Sequence, residues 1–287
     1  MELSVVLLPD LAPAELAARA REAEAAGARG VWTYDHLSWR TGGPWHAAVP
    51  LLAALCVQTS TVRLGPLVAS PNVRHPVPFA QEVTTLDHLS GGRVDLGVGA
   101  GTLTGPDAAA LRAPLDSRRA ADRFGSFVAL LDRLLTSDTT TSTDEWYEAH
   151  DVPVRPQTVQ QPRVPFTIAA TGTRGMALVA EHGQGWVSYG PTGPVETAQG
   201  WYDALAEQVA RLESACAAAG RDPATVRRTA LVSLDLGWAL ASVGAYDDLV
   251  GRLGGLGFDE VAVHGPRLDP RLPGPPPAVY QQVLARL

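Results

Sequence analysis

The 287-residue chain contains no lysine, so its 23 basic side chains are all arginine. Schiff-base chemistry, a pyridoxal phosphate linkage and a Walker-type phosphate loop each need a lysine amine, and all three are excluded. Cysteine numbers two, Cys56 and Cys216, far apart in segments of helical periodicity. Two buried thiols are the expectation, with no disulfide framework and no sign of an oxidising compartment. No CxxC, HExxH or clustered Cys/His spacing occurs, so no metal site is expected. No apolar run reaches the roughly 18 residues that a membrane span needs, and no basic stretch leads into an apolar one at the N-terminus. A soluble, cytoplasmic protein is expected. With a formal net charge of −7 and no basic run, neither nucleic acid nor a membrane surface is an expected partner. Isoleucine and asparagine occur once each, as Ile168 and Asn72, which reads as coding bias.

What is present supports a large core. Hydrophobic residues make up 46% and charged residues 18%, excluding intrinsic disorder, while 28 glycines and 23 prolines fit a fold with many loops. The length allows two ordinary domains or one large α/β barrel. Apolar strand-like runs at residues 3–8, 30–34, 62–69, 93–98, 165–169, 186–189, 228–236 and 260–264 alternate with helical segments. Those segments are residues 13–26 (stopped by Gly27), 45–58, 76–88, 117–135, 174–182, 196–219, 243–256 and 277–287. The rhythm breaks after the fourth long helix. Residues 136–144 are polar and Thr-rich, residues 146–156 resemble a small hairpin, and 136–164 reads as an excursion. The strands are apolar on consecutive positions, as parallel strands covered on both faces should be. Eight βα units predict a (β/α)8 TIM barrel as a single domain over 1–287. A doubly wound open sheet is the competitor, but the first βα turn, Leu8-Pro9-Asp10, lacks its glycine fingerprint.

In such a barrel, function sits at the carboxyl ends of the strands. Those ends carry Tyr34-Asp35-His36, Val68-Ala69-Ser70, Gly97-Val98-Gly99-Ala100-Gly101-Thr102, Thr171-Gly172-Thr173-Arg174-Gly175, Ser188-Tyr189, Gly237-Trp238 and His264 to Arg267. The glycine run is expected to let a flat ring approach the backbone, or else to make a tight turn. His36 supplies an imidazole, a side-chain type whose reference pKa of about 6.5 suits proton transfer near neutrality. The backbone N–H groups of residues 171–175, at the start of a helix, are expected to attract an anion, with Arg174 adding charge, or to form an ordinary helix cap.

The segments TYDHL, RLGPLVASPNVRHP, LDHLSGGRVDLGVGAG and IAATGTRGMALVAEHGQGW together resemble the bacterial-luciferase-like flavin and deazaflavin oxidoreductases, nearly throughout the chain. The resemblance implies coenzyme F420, alternatively FMN, at the barrel mouth. Its deazaflavin-dependent members imply that Asp35 contacts the cofactor and that His36 is the proton donor or acid/base. They also imply a non-prolyl cis peptide at Leu67-Val68 behind the ring and a Ser70 hydroxyl on the cofactor. Gly99, Ala100 and Gly101 would line it, and Thr171, Gly172, Arg174, Gly175 and Met176 would hold its phosphate end. One departure stands out: deazaflavin-dependent glucose-6-phosphate dehydrogenases carry an acid where this chain has Thr102, and their phosphate-gripping lysines are missing.

The substrate wall is assigned to Trp39, Trp45, His46, Thr102, Tyr189, Trp238, His264 and Arg267, a partly apolar lining for a small molecule. The expected reaction is hydride transfer between the deazaflavin C5 and a small organic substrate. The alternatives are an FMN-dependent monooxygenase, served by a flavin reductase and O₂, and a barrel that binds cofactor without turnover. The resemblance also implies a homodimer.

Overall fold

The computed structural model describes residues 1–38, 43–267 and 274–287. The first helix illustrates how local sequence sets its elements. Pro13 opens α1 (Pro13–Ala26), where a missing N–H costs nothing, and Gly27 closes it in the left-handed conformation at φ 94°. Leu16, Ala17, Ala20 and Ala23 recur at helical spacing and are all buried.

The strands are β1 (Glu2–Val6), β2 (Gly30–Thr33), β3 (Arg63–Pro66), β4 (Leu96–Val98), β5 (Thr140–Thr143), β6 (Glu148–Val152), β7 (Phe166–Ala169), β8 (Gly185–Ser188), β9 (Arg227–Leu231) and β10 (Glu260–His264). Between them run α2 (Ala48–Gln58), α3 (Pro76–Ser90), the single-turn α4 (Pro106–Ala109) and α5 (Ser117–Thr136). Later come α6 (Thr173–His182), α7 (Ala198–Ala218), α8 (Val243–Gly255) and α9 (Pro277–Leu284).

Eight of the strands form one parallel sheet in the order β3-β2-β1-β10-β9-β8-β7-β4. Isolated parallel bridges Leu64–Val94 and Ala69–Val98 close its two ends on each other, completing the expected barrel. Strands β2, β8 and β10 are buried at every position, because helices cover the outside and side chains fill the inside. The excursion is the antiparallel hairpin β5–β6, longer and earlier than the hairpin expected at 146–156. Its Tyr147 packs against His75 and Phe127, and Trp146 is faced by the guanidinium groups of Arg112 and Arg119. Cys56 and Cys216 are buried free thiols, as expected.

The seam between β3 and β4 depends on glycine. A Cβ built on Gly65 would lie 1.7 Å from the Asp95 carbonyl oxygen, and one on Gly97 would lie 2.1 Å from that of Pro66. One on Gly99 would lie 2.5 Å from Val68 Cγ2, and one on Gly101 would lie 2.6 Å from Asn72 Nδ2. Alternate glycines of the β4 run thus face successive residues leaving β3. Their smallness serves strand-to-strand approach at the β3–β4 seam, a use beyond those expected from the sequence.

At the amino ends of the strands, Arg29 meets Glu2, Asp95 and Glu260, and Arg63 meets Asp95 and Gln160. These pairs fill the floor with polar groups. The opposite end carries the residues singled out in the sequence.

Candidate active site

The β2 strand runs into Tyr34, Asp35 and His36 at the carboxyl rim. Asp35, 5% exposed, accepts two hydrogen bonds from Arg74, Nε to Oδ2 at 2.8 Å and Nη2 to Oδ1 at 2.7 Å. Burial disfavours the Arg74 charge, but the Asp35 hydrogen bonds and charge reverse this and hold its pKa above the ordinary value. The carboxylate expected to touch the cofactor is therefore committed to fastening the β2 and β3 ends together.

His36 donates from Nδ1 to Asp107 Oδ2, and the Leu37 amide donates to Asp107 Oδ1 at 2.9 Å. One buried carboxylate thus holds the ring and the turn that carries it. A carboxylate accepts only, so it keeps the proton on Nδ1 of the neutral ring and makes Nε2 the basic nitrogen. The acid beside His36 is therefore not at position 102, where the related dehydrogenases carry theirs. Thr102 is exposed, and the acid stands five residues later on α4. Proline at the start of that turn was the available signal.

Around His36 stand Tyr34, edge-to-face at 5.8 Å between ring centroids, and Trp45 at 6.3 Å. Tyr34 also meets His264 from β10, whose Nε2 lies 2.9 Å from the Tyr34 hydroxyl and whose Nδ1 lies 2.9 Å from the Val232 carbonyl. The carbonyl only accepts, so Nδ1 carries the proton and Nε2 accepts from tyrosine. Burial lowers the His264 pKa to about 4, with the Arg267 charge acting in the same direction against the Val232 contact. His264 is a buried neutral buttress rather than an exposed wall of the pocket.

This state has a consequence for stability. Between the unfolded value near 6.5 and the folded value of about 4, the unfolded chain binds the extra proton, so stability falls as pH falls through that window. Above it His264 contributes no pH dependence. Urea unfolding at pH 7 and pH 4 should show a loss larger by about 3 kcal/mol in the wild type than in His264→Asn. Equal losses would show that the imidazole is not held neutral.

The Leu67-Val68 peptide bond is cis, as expected. Ser70 is buried beside it, and its carbonyl accepts from Val73 and Arg74. Gly101 has φ 82°, a conformation suited to glycine. After β7, the neighbour of β4, Gly172 precedes α6 without any side-chain cap, and the space beside its Cα is open. The leading amides of α6 therefore have no side-chain acceptor, which fits an anion such as a cofactor phosphate.

Other candidates are placed differently from expectation. Arg174 is exposed and pairs with Asp122 at 2.8 Å on the flank between α5 and α6, so its charge is already used. The Met176 side chain lies in the hydrophobic core and its amide donates to Gly172, which leaves neither facing the mouth. The Thr171 carbonyl accepts from Arg211. Gly175 lets α6 approach Ala170, since a Cβ there would come within 2.8 Å of the Ala170 Cβ. Ala100 is half-buried at the rim. Arg267 pairs with Asp10 at 2.7 Å. Trp238 packs on Trp201 and Tyr202, whereas Tyr189 is 40% exposed. Trp39 lies outside the described residues. Among the described residues, no cluster of His, Cys, Asp and Glu could hold a metal ion.

The fold and rim define a parallel barrel with an imidazole–carboxylate pair at its carboxyl end. The sequence pattern of the luciferase-like monooxygenase family matches residues 1–236, and the chain belongs to that family. An F420-dependent glucose-6-phosphate dehydrogenase from Beutenbergia cavernae is 35% identical over 205 residues, covering 70% of this chain and 60% of that protein. The chain therefore spans about 60% of the length of this relative. Among solved structures, the F420-dependent tetrahydromethanopterin reductase from Methanopyrus kandleri superposes with a TM-score of 0.78 at 17% identity, covering 99% of this chain and 96% of that one. A monooxygenase from Streptomyces bottropensis superposes with a TM-score of 0.76 at 22% identity, covering 100% and 97%. At these identities the structures establish the barrel alone.

Proposed function

We propose that the chain is an F420-dependent oxidoreductase acting on an uncharged, partly apolar organic substrate. The observation that carries this reading is His36, its tautomer set by Asp107, at the carboxyl rim of the barrel. The F420-dependent relative supports the choice of cofactor. The residues present fit such a group: the uncapped start of α6 suits its phosphate, and Val68 with Ser70 would line its ring. When bound, the deazaflavin supplies the hydride chemistry. The protein contributes orientation, exclusion of water and a proton.

His36 exchanges that proton through Nε2, while Asp107 fixes the ring and stabilises the imidazolium that forms. Asp35 and Arg74 keep the turn before His36 tied to the loop after the bulge. The substrate class follows from charge and exposure. Arg74, Arg174 and Arg267 are each paired with a carboxylate, whereas Leu37, Leu103 and Leu111 are exposed on the loops flanking Asp107. Such a rim suits an apolar molecule better than a phosphorylated sugar. The reading keeps the homodimer and cytoplasmic location expected from the sequence. Among the described residues, no helix is long and apolar enough to cross a membrane.

Titrating the purified chain with F420 and with FMN, followed by cofactor fluorescence, tests the proposal. F420 binding with negligible FMN affinity is expected. FMN binding coupled to O₂ consumption by the reduced flavin would replace this reading with the monooxygenase alternative. Binding of neither would end both.

A further inference from the structure

Asn72 is the chain's only asparagine, and both ends of its amide are engaged. Nδ2 donates to the Thr102 carbonyl at 2.9 Å, and Oδ1 accepts from Arg123 Nη2. Asn72 therefore joins the turn after β3 to the turn after β4. It fills the space that a side chain on Gly101 would need, beside the Ser70 hydroxyl.

Its anchor, Arg123, breaks the pattern of its helix. It occupies the buried face of α5 among Phe124, Phe127 and Val128, and is 3% exposed. Among the described residues no carboxylate pairs with it, and its Nε and Nη1 atoms have no hydrogen-bond partner. Burial lowers its pKa. An arginine buried without a counter-ion is costly, and an apolar residue would pack this face of α5 more cheaply. Among the described residues, its one side-chain hydrogen bond leads to Asn72, and through Asn72 to both turns.

We propose that Arg123 and Asn72 form a positioning staple that sets the spacing of the Ser70 turn and the Gly99–Thr102 turn for the cofactor. Arg123 acts only through Asn72, which the proposed cofactor site needs to bring its two lining turns into register. The inference rests on the F420 reading for the identity of what is bound, but the staple itself does not. A hydrogen bond that fixes both ends of an amide constrains two loops at once, and loop order is what a pre-organised site requires.

Asn72→Asp separates a positioning role from simple support of the fold. It gives Arg123 a carboxylate, so the melting temperature should hold or rise. It also sets an oxygen against the Thr102 carbonyl, so the link between the turns should break. In the cofactor-free full chain, exchange of the Val73, Arg74 and Gly99 amides should quicken by about tenfold or more in Asn72→Asp and Asn72→Ala, the size of one lost buried hydrogen bond. The dissociation constant for whichever of F420 and FMN the wild type binds should rise by about tenfold or more in both variants. Exchange and affinity within about twofold of wild type in both variants would overturn the staple. Should the wild type bind neither cofactor, the proposed function fails while the exchange comparison still decides this inference.

Discussion

Replacing His36 by alanine should lower turnover by about 10²–10⁴-fold, the range a positioned acid/base contributes. Asp107→Asn should lower it as well while preserving shape, because the amide no longer stabilises the imidazolium and offers either an oxygen or an N–H to Nδ1. If the amide N–H faces Nδ1, it selects the tautomer with its proton on Nε2. The two losses should not add. Once His36 is gone, Asp107 has no ring to orient, so the double variant should match His36→Ala. Steady-state rates with F420 and an oxidisable alcohol or reducible ketone panel would provide the comparison. Unchanged turnover in His36→Ala would remove the imidazole from the reaction, and a fully additive double variant would separate Asp107 from it.

The second large effect concerns folding. Gly97→Ala places a methyl group 2.1 Å from the Pro66 carbonyl oxygen, and Gly65→Ala places one 1.7 Å from that of Asp95. Both obstacles are backbone atoms of the adjacent strand, so relief requires the β3–β4 seam to open. Each substitution should cost more than about 4 kcal/mol, enough to leave little folded protein. Gly251→Ala on α8 is the control. Nothing lies within 4 Å of its would-be Cβ, and alanine there should stabilise by about 0.5–1 kcal/mol. Chemical denaturation of the three variants checks both signs. A soluble Gly97→Ala protein with wild-type stability would contradict the seam geometry.

The parts of the fold legible in the sequence were those set by short-range chemistry. Pro13 and Gly27 bound α1 where expected, and the consecutive apolar residues of β10 lie where the strand was placed. The mouth residues Asp35, His36 and Ser70 emerged from their positions at strand ends. Asp107 did not, because its α4 is a single turn with no periodicity and its partner lies 71 residues away. The glycine run is visible in the sequence, but its use at the β3–β4 seam is not. Its purpose depends on which strand becomes the neighbour of β4, and that follows from the closing of the barrel. Arg123 was hidden for a related reason, since a charged residue in an amphipathic helix ordinarily faces solvent. Only the arrangement of α5 against the β3 turn gives it Asn72.

The proposed function places a redox heterocycle at the barrel mouth within reach of His36. A crystal structure of the chain with F420 tests that most directly. The deazaflavin ring is expected to lie against Val68, with His36 Nε2 facing the space next to its reactive edge, where a substrate oxygen would fit within about 3 Å of the nitrogen. A ring bound on the flank between α5 and α6 or at the arginine-lined floor, with His36 remote from it, would contradict the account.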